Sequence, residues 1–235
     1  MGEPIDGKFQ QPVPDSLQPH QQMLLDFQHK CHRLCENVLR HFAIALGIDK
    51  DWFASRHNQS SGTSGSVLRL LYYPQLDEME DGVDIRAGAH SDFGSITLLF
   101  QQAGQPGLEI KTSSGEWSAV PIDPLQHNKA HSIGGRPVPI LVNIGDLLED
   151  WTSGLLKSTV HRVVFPKADS GDRYSIAFFC HPLDDAVLEP VPSARVKDHA
   201  SKANKPPARG GKTITAKDHL MERLAATYTV SKLAD

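Results

Sequence analysis

The chain has 235 residues, of which 39% are hydrophobic and 22% charged, so it can bury a sizeable core and wholesale disorder is disfavoured. Its 24 Lys and Arg against 28 Asp and Glu give a net charge of −4, and the basic residues are scattered, which argues against a nucleic-acid partner. No apolar run approaches the roughly 20 residues that span a bilayer, and the N-terminus lacks a signal-peptide pattern. Three cysteines are too few for a disulfide framework, so we expect a cytoplasmic location and no membrane association.

The first elements in chain order are predicted to be helical. Residues 1–18 are rich in Pro, Gln and Gly, which is typical of an extended lead-in. Over 19–46 apolar residues recur every three or four positions, which predicts an amphipathic helix that ends at Gly47. A short second helix is predicted to start at Asp49.

A β-rich region follows, with turn signals at short intervals. Short strands without helices between them favour a sandwich, a barrel or a jelly roll. A polar stretch over 125–137 is predicted to be a surface insertion. Seven segments have the composition of strands: 67–73, 95–100, 107–112, 117–122, 139–144, 159–165 and 173–179.

The last part of the chain changes composition. It becomes rich in Lys, Pro and Gly, which predicts a linker, and it ends in a helix capped by Thr215 and Asp218. We therefore divide the chain into an N-terminal extended segment with helices over 1–66, a β core over 67–192, and a linker with a C-terminal helix over 193–235.

Three polar side chains occur where the pattern is otherwise apolar. His90 and Asp92 stand two positions apart, and side chains at that spacing on a strand share a face. Alone, they are consistent with a simple hydrogen-bonded pair. His161 lies inside another apolar strand, and two histidines with one carboxylate form the triad that holds ferrous iron and leaves positions open for oxygen chemistry. A zinc hydrolase with this ligand set usually carries HExxH, which is absent.

A second polar pair follows on the last predicted strand. Arg173 and Ser175 share one face of that strand, and Tyr174 lies on the other. A guanidinium beside a hydroxyl suits the binding of a carboxylate. Taken alone, Arg173 is better explained by a surface salt bridge at the start of a strand, next to Asp172.

The order and spacing of these polar sets resemble the iron(II)- and 2-oxoglutarate-dependent dioxygenases, specifically the isopenicillin N synthase-like branch. LRLLYYP at 68–74 is similar to the strand of that family that ends in Tyr-x-Pro or Tyr-Tyr-Pro. GLEI, WxxVP and LVNIGDLLEDWTSGLLKSTVHRV resemble the central run of the branch. The resemblance covers roughly residues 19–192.

The resemblance implies a mainly β fold with flanking α-helices, a double-stranded β-helix (jelly roll) of eight strands. By matching position, His90, Asp92 and His161 would be the catalytic iron ligands. The branch normally has several dozen residues before the helix at 19–46, and they are largely missing here. We therefore expect either a shortened form or an unusually open pocket.

The resemblance also implies a 2-oxoglutarate site. Arg173 and Ser175 would bind the distal carboxylate of 2-oxoglutarate, and Tyr73 would donate a further hydrogen bond to it. Where the family often has Asn, two positions before this tyrosine, the chain has Leu71. The iron would bind the other end of the co-substrate and leave one position for O2.

The activity implied is hydroxylation, desaturation or cyclisation of a small organic molecule, of the kind found in secondary metabolism. Oxidative decarboxylation of 2-oxoglutarate to succinate and CO2 would accompany it, with ascorbate as a supporting reductant. The alternative is a non-catalytic jelly-roll module that binds a ligand. An intact triad together with an intact Arg-x-Ser pair favours the enzyme.

Three residues are candidates for substrate contact. Arg69 shares a strand face with Tyr73 and either holds a polar substrate group or reaches solvent. Phe93 either stacks on a substrate ring or packs in the core. Phe179 shares a strand face with Arg173 and is predicted to face the interior of the barrel, more as a core residue than as a substrate contact.

Four further polar residues could be taken for ligands. For the histidines we expect surface or turn roles, and for the aspartate a role in a turn. They are His127, His131, His181 and Asp146.

Overall fold

Eight strands in two four-stranded antiparallel sheets dominate the computed structural model, which describes residues 1–75, 85–124, 139–164, 171–203 and 213–231. The strands are β1 (Val67–Tyr73), β2 (Ile85–His90), β3 (Ile96–Gln101), β4 (Leu108–Lys111), β5 (Trp117–Ala119), β6 (Leu141–Ile144), β7 (His161–Val164) and β8 (Arg173–Cys180). The α-helices of these residues are α1 (Gln21–Leu46), α2 (Trp52–Ser55), α3 (Asp146–Trp151), α4 (Ala194–Lys202) and α5 (Ala216–Ser231).

The strand order confirms the predicted double-stranded β-helix. One sheet has the order β1-β8-β3-β6 and the other β2-β7-β4-β5. With the exception of β4 and β5, strands that follow each other in sequence lie in different sheets. Register places Tyr73 opposite Arg173 and Thr97 opposite Asn143. These pairings determine which side chains are neighbours on each face of the first sheet.

The two faces of the first sheet have different neighbours. The even-numbered residues Leu68, Leu98 and Phe178 are fully buried in the hydrophobic core, which α1 and α2 complete. Because side chains alternate along a strand, the odd-numbered residues point to the other sheet. The sheet therefore separates an apolar core from an interior cavity.

Helix α1 matches its predicted pattern. Cys31 and Cys35 are buried in the core as predicted, whereas Met23 of the predicted apolar pattern is 61% exposed and Leu39 lies on the buried face instead. Gly47 ends it with a φ of 71°, a left-handed conformation that favours glycine. No helix among the described residues is long and apolar enough to cross a bilayer.

Part of the predicted linker is helical. Residues 194–202 form α4, because Val196 is buried against the core and Ser193 caps the helix while donating a hydrogen bond of 2.6 Å to the Leu46 carbonyl. The predicted insertion at 125–137 lies outside the described residues.

Candidate active site

A cavity of about 270 Å³ lies between the two sheets. Aliphatic side chains such as Leu99 and Leu141 form much of its wall. The polar side chains that line it are those of Arg69, Tyr73, His90, Asp92, Thr97, Asn143, Thr159, His161, Arg173 and Ser175. The site residues predicted from the sequence therefore meet in one cavity, with the exception of Phe93.

The predicted triad forms a compact cluster. One candidate ligand atom from each of His90, Asp92 and His161 lies within 4.8 Å of the others. His161 Nε2 is 3.8 Å from Asp92 Oδ1, and the two imidazole rings are 4.4 Å apart between centroids. Two imidazoles and one carboxylate at this spacing suit a divalent transition metal.

Backbone carbonyls orient both imidazoles. His90 Nδ1 is 2.7 Å from the Gly88 carbonyl oxygen, and His161 Nδ1 is 3.0 Å from the Thr159 carbonyl oxygen. Because a carbonyl only accepts, each Nδ1 carries the proton, and in the neutral ring Nε2 then has its lone pair available. This tautomer is the one that a metal ligand needs.

Two side-chain donors orient the carboxylate of Asp92, which is 6% exposed. Thr97 Oγ1 and Asn143 Nδ2 each donate a hydrogen bond of 2.7 Å to Asp92 Oδ2. The other oxygen, Oδ1, faces His161. Sequence reasoning missed both donors, although Asn143 is a polar residue at an inward position of an apolar strand, the same signal that singled out His161.

The backbone at Asp92 differs from the prediction. β2 ends at His90, and Asp92 lies in the turn before β3, so the argument from strand alternation was wrong for this pair. The Asp146 amide donates a hydrogen bond of 2.7 Å to the Asp92 carbonyl and so fixes the turn. The bend that connects β2 to β3, rather than a shared strand face, brings the imidazole and the carboxylate together.

The predicted carboxylate-binding pair lies on the cavity side of β8. Arg173 is only 2% exposed, which argues against a surface role, and Tyr174 faces outward as expected. The Arg173 guanidinium donates hydrogen bonds of 3.3 Å to Ser175 Oγ and to Gln101 Oε1. It also lies 5.4 Å from the centroid of the Tyr73 ring. Gln101 was not anticipated, because it meets Arg173 only through the pairing of β3 with β8.

The substrate candidates separate into two places. Arg69 and Phe179 line the cavity, with the Arg69 guanidinium 5.4 Å from the centroid of the Phe179 ring. Phe93 is absent from the cavity wall, and the guanidinium of Arg223 in α5 lies 5.4 Å from its ring. This position favours the packing role for Phe93.

Of the remaining candidates, His181 and Asp146 are among the described residues, and neither belongs to the cluster. His181 is buried, not at the surface, and burial lowers its pKa to about 4. Asp146 is the first residue of α3 and pairs with Arg223, so it is a helix residue and not the turn carboxylate that the sequence predicts. His127 and His131 lie outside the described residues.

Comparison with known proteins gives one consistent result. Residues 64–182 match the family model described as the 2OG-Fe(II) oxygenase superfamily. The chain is 33% identical to clavatol oxidase claD of Penicillium crustosum over an alignment of 235 positions that covers 96% of this chain and 61% of that relative. It is 31% identical to 1-aminocyclopropane-1-carboxylate oxidase of Persea americana over 191 residues, which is 81% of this chain and 54% of that relative.

Solved structures agree with these relatives. The fold superposes on a full-length Neurospora crassa protein, solved in complex with alpha-KG, with a TM-score of 0.75 and 32% identity, covering 96% of this chain and 64% of that one. The chain thus spans little more than half of the length of the curated relatives cited here. From the family match and the arrangement of the cavity, the chain belongs to the 2OG-Fe(II) oxygenase superfamily.

Proposed function

We propose that the chain is an Fe(II)- and 2-oxoglutarate-dependent oxygenase that hydroxylates, desaturates or cyclises a small organic molecule. The observation that carries this proposal is the convergence of the His90, Asp92 and His161 cluster and the buried Arg173 on one cavity. When bound, iron with 2-oxoglutarate and O2 supplies an oxidant for a substrate C–H bond, while 2-oxoglutarate is converted to succinate and CO2. Ascorbate supports turnover by keeping the iron reduced.

In this proposal the iron is held by His90 Nε2, Asp92 Oδ1 and His161 Nε2. Support comes from the donor set, since imidazole and carboxylate ligands suit ferrous iron, and from the proton on each Nδ1. His90 is exposed, which gives a metal access from solvent. Asp92 contributes one oxygen, because its other oxygen accepts two hydrogen bonds.

The co-substrate would bind through Arg173, Ser175 and Tyr73. Arg173 is only 2% exposed, and burying its guanidinium away from water costs free energy. A carboxylate offsets that cost best when it accepts two parallel hydrogen bonds from the guanidinium. Ser175 adds a hydroxyl donor next to the guanidinium. Tyr73 lies opposite Arg173 on the neighbouring strand, within reach of the same carboxylate.

We propose that the substrate carries an anionic or strongly accepting group and an apolar body. Among the described residues that line the cavity, Asp92 is the one acidic side chain against the two arginines Arg69 and Arg173. Fe(II) and Arg173 offset Asp92 and the two carboxylates of 2-oxoglutarate, which leaves the charge of Arg69 for the substrate. Phe179, beside Arg69, would pack against the apolar body. The Neurospora crassa protein is also solved with alpha-KG and thymine, a small molecule.

The test is formation of succinate from 2-oxoglutarate by the purified chain with Fe(II), O2 and ascorbate. We expect slow turnover without substrate, abolished in His161→Ala and retained in His29→Ala, which removes an exposed histidine of α1. Absence of any Fe(II)-dependent succinate from the wild-type chain would refute the enzyme and favour the binding module.

We also infer a cytoplasmic location. Cys31, Cys35 and Cys180 are free and buried, which suits a reducing compartment. Cell fractionation tests this inference, and recovery of the chain outside the cytoplasmic fraction would contradict it.

A further inference from the structure

Helix α5 contacts the turn that carries Asp92, through one arginine. Arg223 Nη2 is 2.5 Å from Asp146 Oδ2 and 3.5 Å from Ser91 Oγ. Ser91 Oγ in turn donates a hydrogen bond of 3.1 Å to Asp146 Oδ2. The three side chains therefore form a closed set that joins α5, the start of α3 and the turn after β2.

The residue that Arg223 holds is the one that fixes the backbone of Asp92. The Asp146 amide donates to the Asp92 carbonyl at 2.7 Å, and the Leu147 amide donates to the Gly94 carbonyl at 3.2 Å. Gly145 permits this approach, because a Cβ at that position would lie 2.2 Å from the Gly94 carbonyl oxygen. The turn is thus bound on its backbone by the first residues of α3 and on its Ser91 side chain by Asp146.

Contacts other than that of Arg223 also hold α5 in place. The Asp146 side chain is 15% exposed, and the Arg223 guanidinium also lies 5.4 Å from the Phe93 ring, next to Asp92. α5 has its own anchors in the capping box of Thr215 with Asp218 and in the buried His219. The side chain of Arg223 is 41% exposed, so its ion pair contributes little to overall stability.

We propose that Arg223 is a positioning residue for Asp92: it holds Asp146 and Ser91 so that the turn presents the carboxylate to the two histidines. This proposal rests on the proposed role of Asp92 as an iron ligand. Groups behind a metal ligand typically change metal affinity about 10- to 100-fold when removed, and Arg223 acts through Asp146, so we expect a loss at the lower end, about 10-fold.

The experiment compares Arg223→Ala, Arg223→Lys and a matched control, Lys217→Ala, in the full chain. Lys217 lies on the same helix and pairs with Asp184 at 3.7 Å, away from the turn. Two quantities are measured: the anaerobic Fe(II) affinity by calorimetry, and the amide hydrogen exchange in metal-free protein of residues 145–147, whose amides donate to the carbonyls of Ser95, Asp92 and Gly94. Circular dichroism checks that each variant folds.

We expect Arg223→Ala to lower the Fe(II) affinity about 10-fold and to accelerate amide exchange at residues 145–147, with partial recovery in Arg223→Lys and no change in Lys217→Ala. Wild-type affinity and exchange in Arg223→Ala would overturn the proposal, as would an equal loss in Lys217→Ala. If the wild-type chain bound no Fe(II), the proposed function would fail, whereas unchanged exchange in Arg223→Ala would refute the role of Arg223 alone.

Discussion

Asn143 and Thr97 lie opposite each other on β6 and β3, and both donate hydrogen bonds of 2.7 Å to the same oxygen of Asp92. Together they fix the plane of the carboxylate and leave its other oxygen, Oδ1, facing the two histidines.

Asn143→Leu tests this arrangement. The variant keeps the size of the side chain but removes the donor, so Asp92 Oδ2 loses one of its two hydrogen bonds. We expect the Fe(II) affinity to fall by about 10- to 100-fold while the fold is retained. Anaerobic calorimetry measures the affinity, with Asn37→Leu on the exposed face of α1 as the control. Unchanged affinity would show that the hydrogen bond does not position Asp92.

Arg173→Lys separates the co-substrate site from the metal site. Lysine keeps the charge but loses the planar fork, so we expect the KM for 2-oxoglutarate to rise about 10-fold or more, the equivalent of one charge-assisted hydrogen bond. The Fe(II) affinity should stay within about twofold of the wild type. Initial rates of succinate formation report the first effect, and Arg40→Lys, which alters an exposed ion pair with Asp51, is the control. An unchanged KM would contradict the assignment.

Arg69→Met tests the inference on substrate chemistry. Methionine retains an apolar stem beside Phe179 but removes the cation, so turnover of 2-oxoglutarate without substrate should persist. Some small carboxylates will stimulate succinate release from the wild type. Their concentration for half-maximal stimulation should be about 10-fold higher in the variant, as expected for loss of one charged contact. If neutral and anionic compounds responded alike to the substitution, Arg69 would not select charge.

His57 makes the fold sensitive to acid. Burial lowers the pKa of His57 from 6.5 to about 3, and its ring nitrogens lie 2.7 Å from the Phe53 carbonyl oxygen and 2.9 Å from Ser95 Oγ. Since the unfolded chain binds the proton more readily, stability is full above the unfolded pKa and is lost as pH falls towards the folded one.

The expected size of this effect follows from the same pKa difference. Between about pH 7.5 and about pH 5 the wild type should lose about 2 kcal/mol more than His57→Gln, which cannot titrate. Urea unfolding at the two pH values measures the difference. Parallel losses in both proteins would assign the acid sensitivity to other groups.

Local patterns predicted much of the site, because alternation along a strand is a local property. The shared face of Arg173, Ser175 and Phe179 follows from period two alone, and the structure has all three on the cavity wall. His161 was found as a polar residue in an apolar strand.

Contacts made across strands or between distant segments escaped prediction. Thr97 meets Asn143 only through the register of β3 with β6, and Arg223 reaches Asp146 from the far end of the chain. The helix at 194–202 was missed because its composition is typical of a linker, whereas its stability comes from the buried Val196 and the hydrogen bond from Ser193 to Leu46.

The most direct test of the account is whether iron and 2-oxoglutarate bind to one shared site. Anaerobic calorimetry would measure the Kd of 2-oxoglutarate with and without Fe(II), in the wild type and in His161→Ala. We expect Fe(II) to tighten binding of 2-oxoglutarate at least about 10-fold in the wild type, with a reciprocal effect on Fe(II), and to have no effect in His161→Ala. An affinity for 2-oxoglutarate that is the same with and without Fe(II) in the wild type would contradict the account.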